Sequence, residues 1–182
     1  MMNEKQYNPC TVLKKYRAGF VLRIVVLVVA VIGGLVACSQ ASSRSAAVDV
    51  VERYLGAKKN NDFTTWKSTL WAAQKDGSSF TPSFEKPGDL GVLSLSIGKV
   101  AVSDEETALI QKSYSGSDLA KSHGWSDEFI AQNMLAVTAQ YTVDYDNTKV
   151  PYPDGEQTQV FYLVRDNLDS AWLIWDFGSP SQ

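Results

Sequence analysis

Carboxylates beside aromatic residues are the side chains of this sequence best suited to acid–base chemistry. Asp176 lies between Trp175 and Phe177, and Asp144 precedes Tyr145. An apolar environment can raise the pKa of a carboxyl group towards the value that a general base needs. A simpler role fits each residue as well. Asp144 falls on the polar side of its predicted strand and is expected to be solvated, and Asp176 could accept a bond from a backbone amide or from an arginine.

Metal, cofactor and nucleophilic chemistry receive little support. His123 is the only histidine, so a site with several histidines is excluded, and its place beside Gly124 predicts a surface residue rather than a catalytic one. The acidic stretch from Asp144 resembles a calcium loop but has Lys149 where the loop needs glycine, and Gly155 where it needs glutamate. Phosphate-binding glycine loops and nucleophile elbows are absent from the sequence. We therefore expect no cofactor.

The thiol of Cys38 follows a segment that is typical of an export signal. Residues 1–37 hold five basic side chains and one acid, and residues 24–37 carry no charge. Such a basic start, an apolar run and a small residue before the cut are the three parts of a signal peptide. Fourteen residues are too few to cross a bilayer, which takes about 20. An uncleaved membrane anchor is the alternative that the sequence leaves open.

The four residues Leu35-Val36-Ala37-Cys38 resemble the lipobox of bacterial lipoprotein precursors. The resemblance implies that Leu35, Val36 and Ala37 are recognised by the signal peptidase, that Cys38 carries a diacylglycerol, and that Cys38 becomes the first residue. A covalent lipid of this kind would hold the protein on the extracytoplasmic face of the cell membrane. We therefore expect a signal peptide at 1–37 and a lipidated, polar tether at 38–45.

The charge of the remaining chain excludes one class of partner. Residues 38–182 contain 12 basic and 19 acidic side chains, a net charge of −7. Nucleic-acid binding depends on lysine and arginine side chains that displace counterions from phosphates. We expect no nucleic-acid partner, and instead the membrane, an envelope protein or a small ligand.

The elements that must position these residues follow from the periodicity. Apolar residues at 47, 50, 51, 54 and 55 form one face of a helix, and Asp62 can cap a second helix that carries Phe63, Trp66, Leu70 and Trp71. Residues 76–91 have the composition of a loop, and Ser117 and Ser126 are expected to cap two short helices separated by Gly124.

Strands dominate the second half of the chain. Leu93, Leu95 and Ile97 alternate with serines, and the alternation changes near Gly98, which predicts a bulge. Residues 137–145 alternate without interruption, with Tyr141 and Tyr145 on the apolar side. Two further strands at 160–165 and 171–177 are apolar on both faces, so we expect them at the centre of the sheet. Helices first and strands last predict one α+β domain over residues 46–178.

That order of elements, with the helix Val-Val-Glu-Arg-Tyr-Leu-Gly-Ala at 50–57, resembles the nuclear-transport-factor-2-like superfamily. The resemblance implies N-terminal helices packed on a curved antiparallel sheet that wraps round them in the shape of a cone. The stretches 124–130, 145–155 and 161–165 leading into 172–178 are similar to an uncharacterised domain family of Gram-positive lipoproteins. This resemblance implies a location in the cell envelope but no activity.

Aromatic side chains near the end of the chain, and one carboxylate among them, are candidates for lining a ligand cavity: Tyr162, Trp172, Trp175 and Asp176, with the neighbouring Phe177. Packing in the core is the alternative role for the same rings. Three functions remain open: a membrane-anchored binding or interaction domain, an isomerase- or dehydratase-like enzyme with a carboxylate in a cone-shaped pocket, and an accessory domain for cell-envelope machinery. A cavity of at least about 300 Å³ that contains a carboxylate would favour the enzyme.

Overall fold

The computed structural model of the chain describes residues 41–75 and 85–181. The predicted signal peptide, the Cys38 motif and part of the predicted loop lie outside these residues. Arg44–Gln182 form a compact unit. Among the described residues, no helix is both long enough and apolar enough to cross a membrane.

The described residues form an α+β fold in which helices precede an antiparallel sheet, as predicted. The elements are, in chain order, α1 (41–59), α2 (Phe63–Ser68), α3 (Trp71–Lys75), β1 (Val92–Ser103), α4 (Asp104–Tyr114), α5 (Asp118–Ser122), α6 (Asp127–Asn133), β2 (Met134–Tyr145), β3 (Gly155–Val164) and β4 (Leu173–Gly178). The four strands lie in the order β1-β2-β3-β4 in an open sheet, and every neighbouring pair is antiparallel.

Side chains cap the short helices where the sequence predicts them. The Asp62 carboxylate accepts a hydrogen bond from the Thr65 amide, and the hydroxyls of Ser117 and Ser126 do the same at α5 and α6. These bonds satisfy amides that have no partner inside the helix. Ser103 caps α4 in the same way, which the sequence analysis did not predict. Gly124 adopts a positive φ of 69° between α5 and α6, so the predicted break is confirmed.

The predicted second helix is interrupted before its last aromatic residue. Helix α2 ends at Ser68, and the Thr69 carbonyl accepts a hydrogen bond from the Ile174 amide at 2.8 Å. Leu70 forms a parallel bridge with Ile174 of β4, and α3 then begins at Trp71. The prediction of one continuous helix is wrong, because the backbone at Thr69 and Leu70 pairs with the outer edge of β4 and does not continue the helix.

Strand β1 contains the predicted bulge and a second one that was not predicted. The pairing with β2 shifts between Ile97 and Val100, and again between Val92 and Ser94. A Cβ at Gly98 would lie 2.9 Å from the Gln140 carbonyl oxygen, so only glycine fits this close approach. The second shift turns Leu93 outwards to 65% exposure, which corrects its predicted place on the buried side.

The two faces of the sheet are covered by different helices. On the first face, α1 and α2 pack against the apolar side of β2 as predicted, and the buried core includes Val51, Leu55, Val137 and Phe161. On the second face, Ala120 of α5 and Ile130 of α6 pack against Met134 of β2 and Val164 of β3, and half-buried aromatic rings surround this smaller core.

Strand β4 lies at the edge of the sheet and not at its centre, which corrects the prediction. Its apolar residues have another explanation. Ile174 is buried in the core of the first face, whereas Trp175 packs against the core of the second face. A strand can therefore be apolar on both sides at an edge when helices cover both faces.

Candidate functional site

A cavity of about 450 Å³ lies between α1, α2 and the first face of the sheet. We call it the tyrosine cavity because four tyrosines are among its described lining residues. Its walls are formed mainly by aromatic and apolar residues, with two charged and two amide side chains: Tyr54, Leu55, Lys58, Trp66, Leu70, Glu85, Leu95, Tyr141, Tyr145, Tyr152, Pro153, Gln157, Gln159 and Phe177. Such a mixture of aromatic walls and few polar groups is typical of small-molecule sites.

Regular spacing brings several of these side chains together. Tyr54 and Lys58 are four residues apart on α1 and therefore share one helix face. Tyr141 and Tyr145 are four apart on β2 and share the first face of the sheet, because strand side chains alternate. A hydrogen bond outside the cavity helps to position Glu85. The Leu90 amide donates to the Asn61 side chain at 2.9 Å, which connects the segment after Glu85 to the residues that follow α1.

A buried ion pair is the main polar feature of the tyrosine cavity. Lys58 Nζ lies 3.5 Å from Glu85 Oε1, and the two residues are only 6% and 7% exposed. The Tyr152 hydroxyl donates to the same carboxylate oxygen at 3.2 Å. Charges of this kind are costly to bury unless each one faces its counter-charge and further polar groups.

Three tyrosine rings surround the ammonium group. Lys58 Nζ lies 5.8 Å from the ring centroid of Tyr54, 5.6 Å from that of Tyr145 and 5.2 Å from that of Tyr152. The electron-rich faces of aromatic rings attract cations at these distances. The rings therefore replace part of the hydration that Lys58 loses on burial.

Burial shifts the protonation equilibria of the cavity. It lowers the pKa of Lys58, and the neighbouring Glu85 carboxylate opposes that shift. It raises the pKa of Tyr54 and that of Tyr145 well above the ordinary tyrosine value. The two phenols therefore keep their protons at neutral pH. The Tyr141 hydroxyl donates to Gln159 Oε1 at 2.9 Å on the same wall.

The residues proposed from sequence as pocket-lining lie elsewhere among the described residues. Trp172 is buried in the core and packs against the Arg165 guanidinium, whose Cζ lies 4.4 Å from its ring centroid. Tyr162 and Asp176 are opposite each other in the β3–β4 register, on the second face. Trp175 Nε1 donates to the Tyr114 hydroxyl at 2.9 Å, also on that face. Only the neighbouring Phe177 reaches the tyrosine cavity.

Neither aspartate considered for acid–base chemistry faces the tyrosine cavity. Asp144 is exposed on β2 and points away from Tyr141 and Tyr145. Asp176 is exposed, and its carboxylate accepts a hydrogen bond from the Phe177 amide at 2.8 Å. Among the described residues, the carboxylate that lines the cavity is Glu85, which was predicted to lie in a loop.

A group of aromatic rings lies on the second face around the single histidine. We call this group the tryptophan cluster; its members are Trp71, His123, Trp125, Phe129 and Trp175. His123 is exposed, as predicted, and stacks on Trp125 with 4.8 Å between ring centroids. Within the part of the chain that the structure describes, no group of three or more metal-binding side chains comes together.

One signal in the sequence could have revealed the ion pair. The apolar face of α1 runs through Val51, Tyr54 and Leu55, and its next position is Lys58. A lysine on the buried side of a helix must find a counter-charge. That the counter-charge is Glu85, 27 residues away across an irregular segment, follows from no pattern in the sequence.

Comparison with known proteins gives a family and no activity. A family profile described as "Domain of unknown function (DUF4829)" matches residues 48–178. No match was found among curated proteins or among solved structures. The prediction of an uncharacterised domain family is confirmed by the profile. Its place in the nuclear-transport-factor-2-like superfamily, and its link to lipoproteins, stay predictions.

Proposed function

We propose that this chain, which belongs to the family described as a domain of unknown function (DUF4829), is a lipid-anchored extracytoplasmic domain that binds a small molecule in the tyrosine cavity. The observation that carries the proposal is the cavity of about 450 Å³ with a buried ion pair on its wall. Ligand sites commonly enclose about 300–1,000 Å³. The nuclear-transport-factor-2-like resemblance supports a ligand between helices and sheet.

The chemistry of the walls supports binding over mere packing. A core that only stabilises the fold avoids charged side chains, since burying them costs free energy even when they are paired. The tyrosine cavity nevertheless contains both Lys58 and Glu85, and four tyrosines whose hydroxyls can donate or accept. These groups can orient a polar ligand, and the rings can cover its apolar part.

A blocking variant tests the binding proposal. Gln157 lines the tyrosine cavity, whereas the next residue, Thr158, is exposed and points to the other side of β3. Gln157→Trp should fill the cavity, and Thr158→Trp is the matched control. In saturation-transfer NMR with a library of small aromatic fragments, a subset should bind the full chain in detergent and the control variant but not Gln157→Trp. Equal binding to all three proteins would contradict the proposal.

The lipid anchor rests on Leu35-Val36-Ala37-Cys38 after an uncharged run, and on the polar residues 39–45 that follow. Two acyl chains hold a protein on a membrane, whereas one binds it only marginally. Cys38→Ser should abolish the incorporation of labelled fatty acid in cells, and Cys10→Ser should leave it unchanged. Labelling that persists in Cys38→Ser would show that the proposed anchor is absent.

An enzyme is the second candidate function, and Glu85 is the observation that favours it. A carboxylate and the Tyr152 hydroxyl, 3.2 Å apart, are group types that transfer protons to and from carbon acids. A ligand that turns over by this route should take up deuterium at carbon when it is incubated with the protein in D2O. Glu85→Gln should stop the uptake. A bound ligand recovered without deuterium would leave binding as the function.

A further inference from the structure

The ion pair in the tyrosine cavity has unused hydrogen-bonding capacity on both sides. An ammonium group has three donors, and Lys58 Nζ makes one hydrogen bond to the described residues, to Glu85 Oε1 at 3.5 Å. The same oxygen accepts from Tyr152, while Glu85 Oε2 accepts from no described residue. Both side chains are more than nine-tenths buried and line the cavity. A donor and an acceptor thus stand side by side without full partners.

The charges of the cavity walls cancel among the lining residues that the structure describes. Lys58 and Glu85 are the charged side chains among the lining residues, and the remaining polar groups are phenols, an indole and two amides. A ligand with a net charge would meet one favourable partner and, within a few ångströms, one repulsive one. In a buried site with a low effective dielectric constant, that repulsion is only weakly screened.

We propose that the Lys58–Glu85 pair binds a net-neutral polar head that offers an acceptor and a donor side by side, such as a primary carboxamide or a lactam edge. This inference rests on the proposed binding function and specifies its ligand class. The ligand carbonyl accepts from Lys58 Nζ, and its N–H donates to Glu85 Oε2. Both bonds involve an ionised protein group, so they are stronger than bonds between neutral groups.

The other lining residues determine which apolar group of the ligand can be attached to this polar head. The aromatic rings of Trp66, Tyr141 and Phe177 line the walls, together with three leucines. Flat rings bury a large apolar area and pack well against other rings. The ligand class is therefore an aromatic or heteroaromatic ring with an amide or lactam edge.

Three commercial probes with the same ring separate the alternatives. Benzamide has the neutral donor–acceptor head, benzoate has an anionic acceptor, and benzylamine has a cationic donor. Binding is followed in ¹⁵N-tryptophan-labelled full chain in detergent micelles, because the indole of Trp66 lines the cavity and that of Trp175 lies on the second face. Dissociation constants on the order of 1 mM are the scale for molecules this small.

Benzamide should shift the Trp66 indole signal and leave that of Trp175 in place. Its affinity should exceed that of benzoate and of benzylamine by about tenfold, the equivalent of one charge-assisted hydrogen bond. Benzoate or benzylamine binding at Trp66 as tightly as benzamide would overturn the ligand class and retain the binding site. If none of the probes moves the Trp66 signal, the ligand class fails; the binding function fails with it only if no fragment of the library loses its binding in Gln157→Trp.

Two variants should change the preference in opposite directions. Glu85→Gln leaves the ammonium without a counter-charge, so benzoate should become the tightest of the three probes by about tenfold. Lys58→Met leaves the Glu85 carboxylate without a counter-charge, so benzylamine should become the tightest-binding of the three probes. Lys59→Met, at the exposed neighbouring position, is the matched control and should keep the preference for benzamide.

The test remains decisive if one variant does not fold. Removing Lys58 exposes a buried carboxylate to an apolar environment, whereas Glu85→Gln keeps an acceptor beside Lys58 and changes only its charge. Glu85→Gln alone then decides. A variant that keeps the wild-type preference for benzamide would show that the pair does not contact the ligand head.

Discussion

The two faces of the sheet carry aromatic side chains in different arrangements. On the first face, tyrosines from α1, β2 and the segment after β2 surround a cavity and a buried ion pair. On the second face, the rings of the tryptophan cluster contact one another directly, with 4.6 Å between the centroids of Trp71 and Trp175. Tyrosine hydroxyls and charges need polar partners, whereas the indole and phenyl rings of the cluster pack mainly against one another, edge to face or stacked.

The difference indicates which face is suited to a ligand. The tryptophan cluster packs around the small core of α5 and α6, which makes it part of the support of the fold. The first face retains space next to Lys58 and Glu85, which can each form further hydrogen bonds.

The largest effect is expected from the core of the first face. Phe161 is fully buried and contacts Tyr54 at 5.5 Å and Phe177 at 5.4 Å between ring centroids. Phe161→Ala should lower the free energy of unfolding by about 4 kcal/mol. Phe129→Ala, at a half-buried position of the tryptophan cluster, should cost less than half as much. Urea titration measures both, and equal losses would contradict the contrast.

Breaking the ion pair should have the next largest effect. Glu85→Ala leaves Lys58 buried without a counter-charge and should cost about 3 kcal/mol. The double variant Lys58→Met, Glu85→Leu should regain most of that loss, since neither charge is then buried. The exposed pair of Lys75 and Asp166 is the control, and Asp166→Ala should change stability by less than about 0.5 kcal/mol. A double variant no more stable than Glu85→Ala would rule out the pair as the cause.

Alkaline pH should weaken the first face through its tyrosines. The pKa of Tyr54 is raised in the folded protein, so above the ordinary value of 10.0 the unfolded chain loses this proton first. The folded state then holds more protons, and stability falls as pH rises. Each such tyrosine adds a slope of about 1.4 kcal/mol per pH unit.

Tyr54→Phe should remove one of these slopes between about pH 10.5 and 12, and Tyr145→Phe a second, because burial raises the pKa of Tyr145 too. Urea titrations at a series of pH values measure the slope directly. Lys58 acts in the opposite direction, since its lowered pKa makes the folded state shed a proton before the unfolded chain does. A slope unchanged in Tyr54→Phe would show that its hydroxyl is not buried.

The smallest effect is expected where each face loses a single hydrogen bond. Tyr141→Phe removes the bond to Gln159 on the first face, and Trp175→Phe removes the bond to Tyr114 on the second. Each change should cost about 1 kcal/mol, the usual net value of such a bond. Thermal unfolding would then show similar shifts for both variants. A clearly larger loss in Trp175→Phe would show that the packing of the indole, beyond its N–H, supports the second face.

Much of the fold was predictable from local patterns. The alternation from Val137 to Tyr145 predicted that every second side chain lies on the apolar face. Asp62, Ser117 and Ser126 marked the starts of helices. These features depend on residues within a few positions of one another. The bulge at Gly98 belongs to the same class, because a change of parity is visible along one strand.

The candidate site was predicted less well. The aromatic residues of β4 were expected to line a pocket, but a bulge between Tyr162 and Leu163 in the β3–β4 pairing places Trp175 and Phe177, two residues apart, on different faces. Only Phe177 of that group reaches the cavity. A bulge in one strand changes which side chains share a face, and the pairing partner decides where it occurs.

The α+β class and the caps of the short helices follow from local sequence, and so does the prediction of a lipid on Cys38, because each depends on composition or short spacing. Only folding brings Lys58 to Glu85 between three tyrosine rings and makes β4 an edge strand that is covered on both faces. These contacts join residues far apart in the chain. Their energies depend on burial, which no local pattern contains.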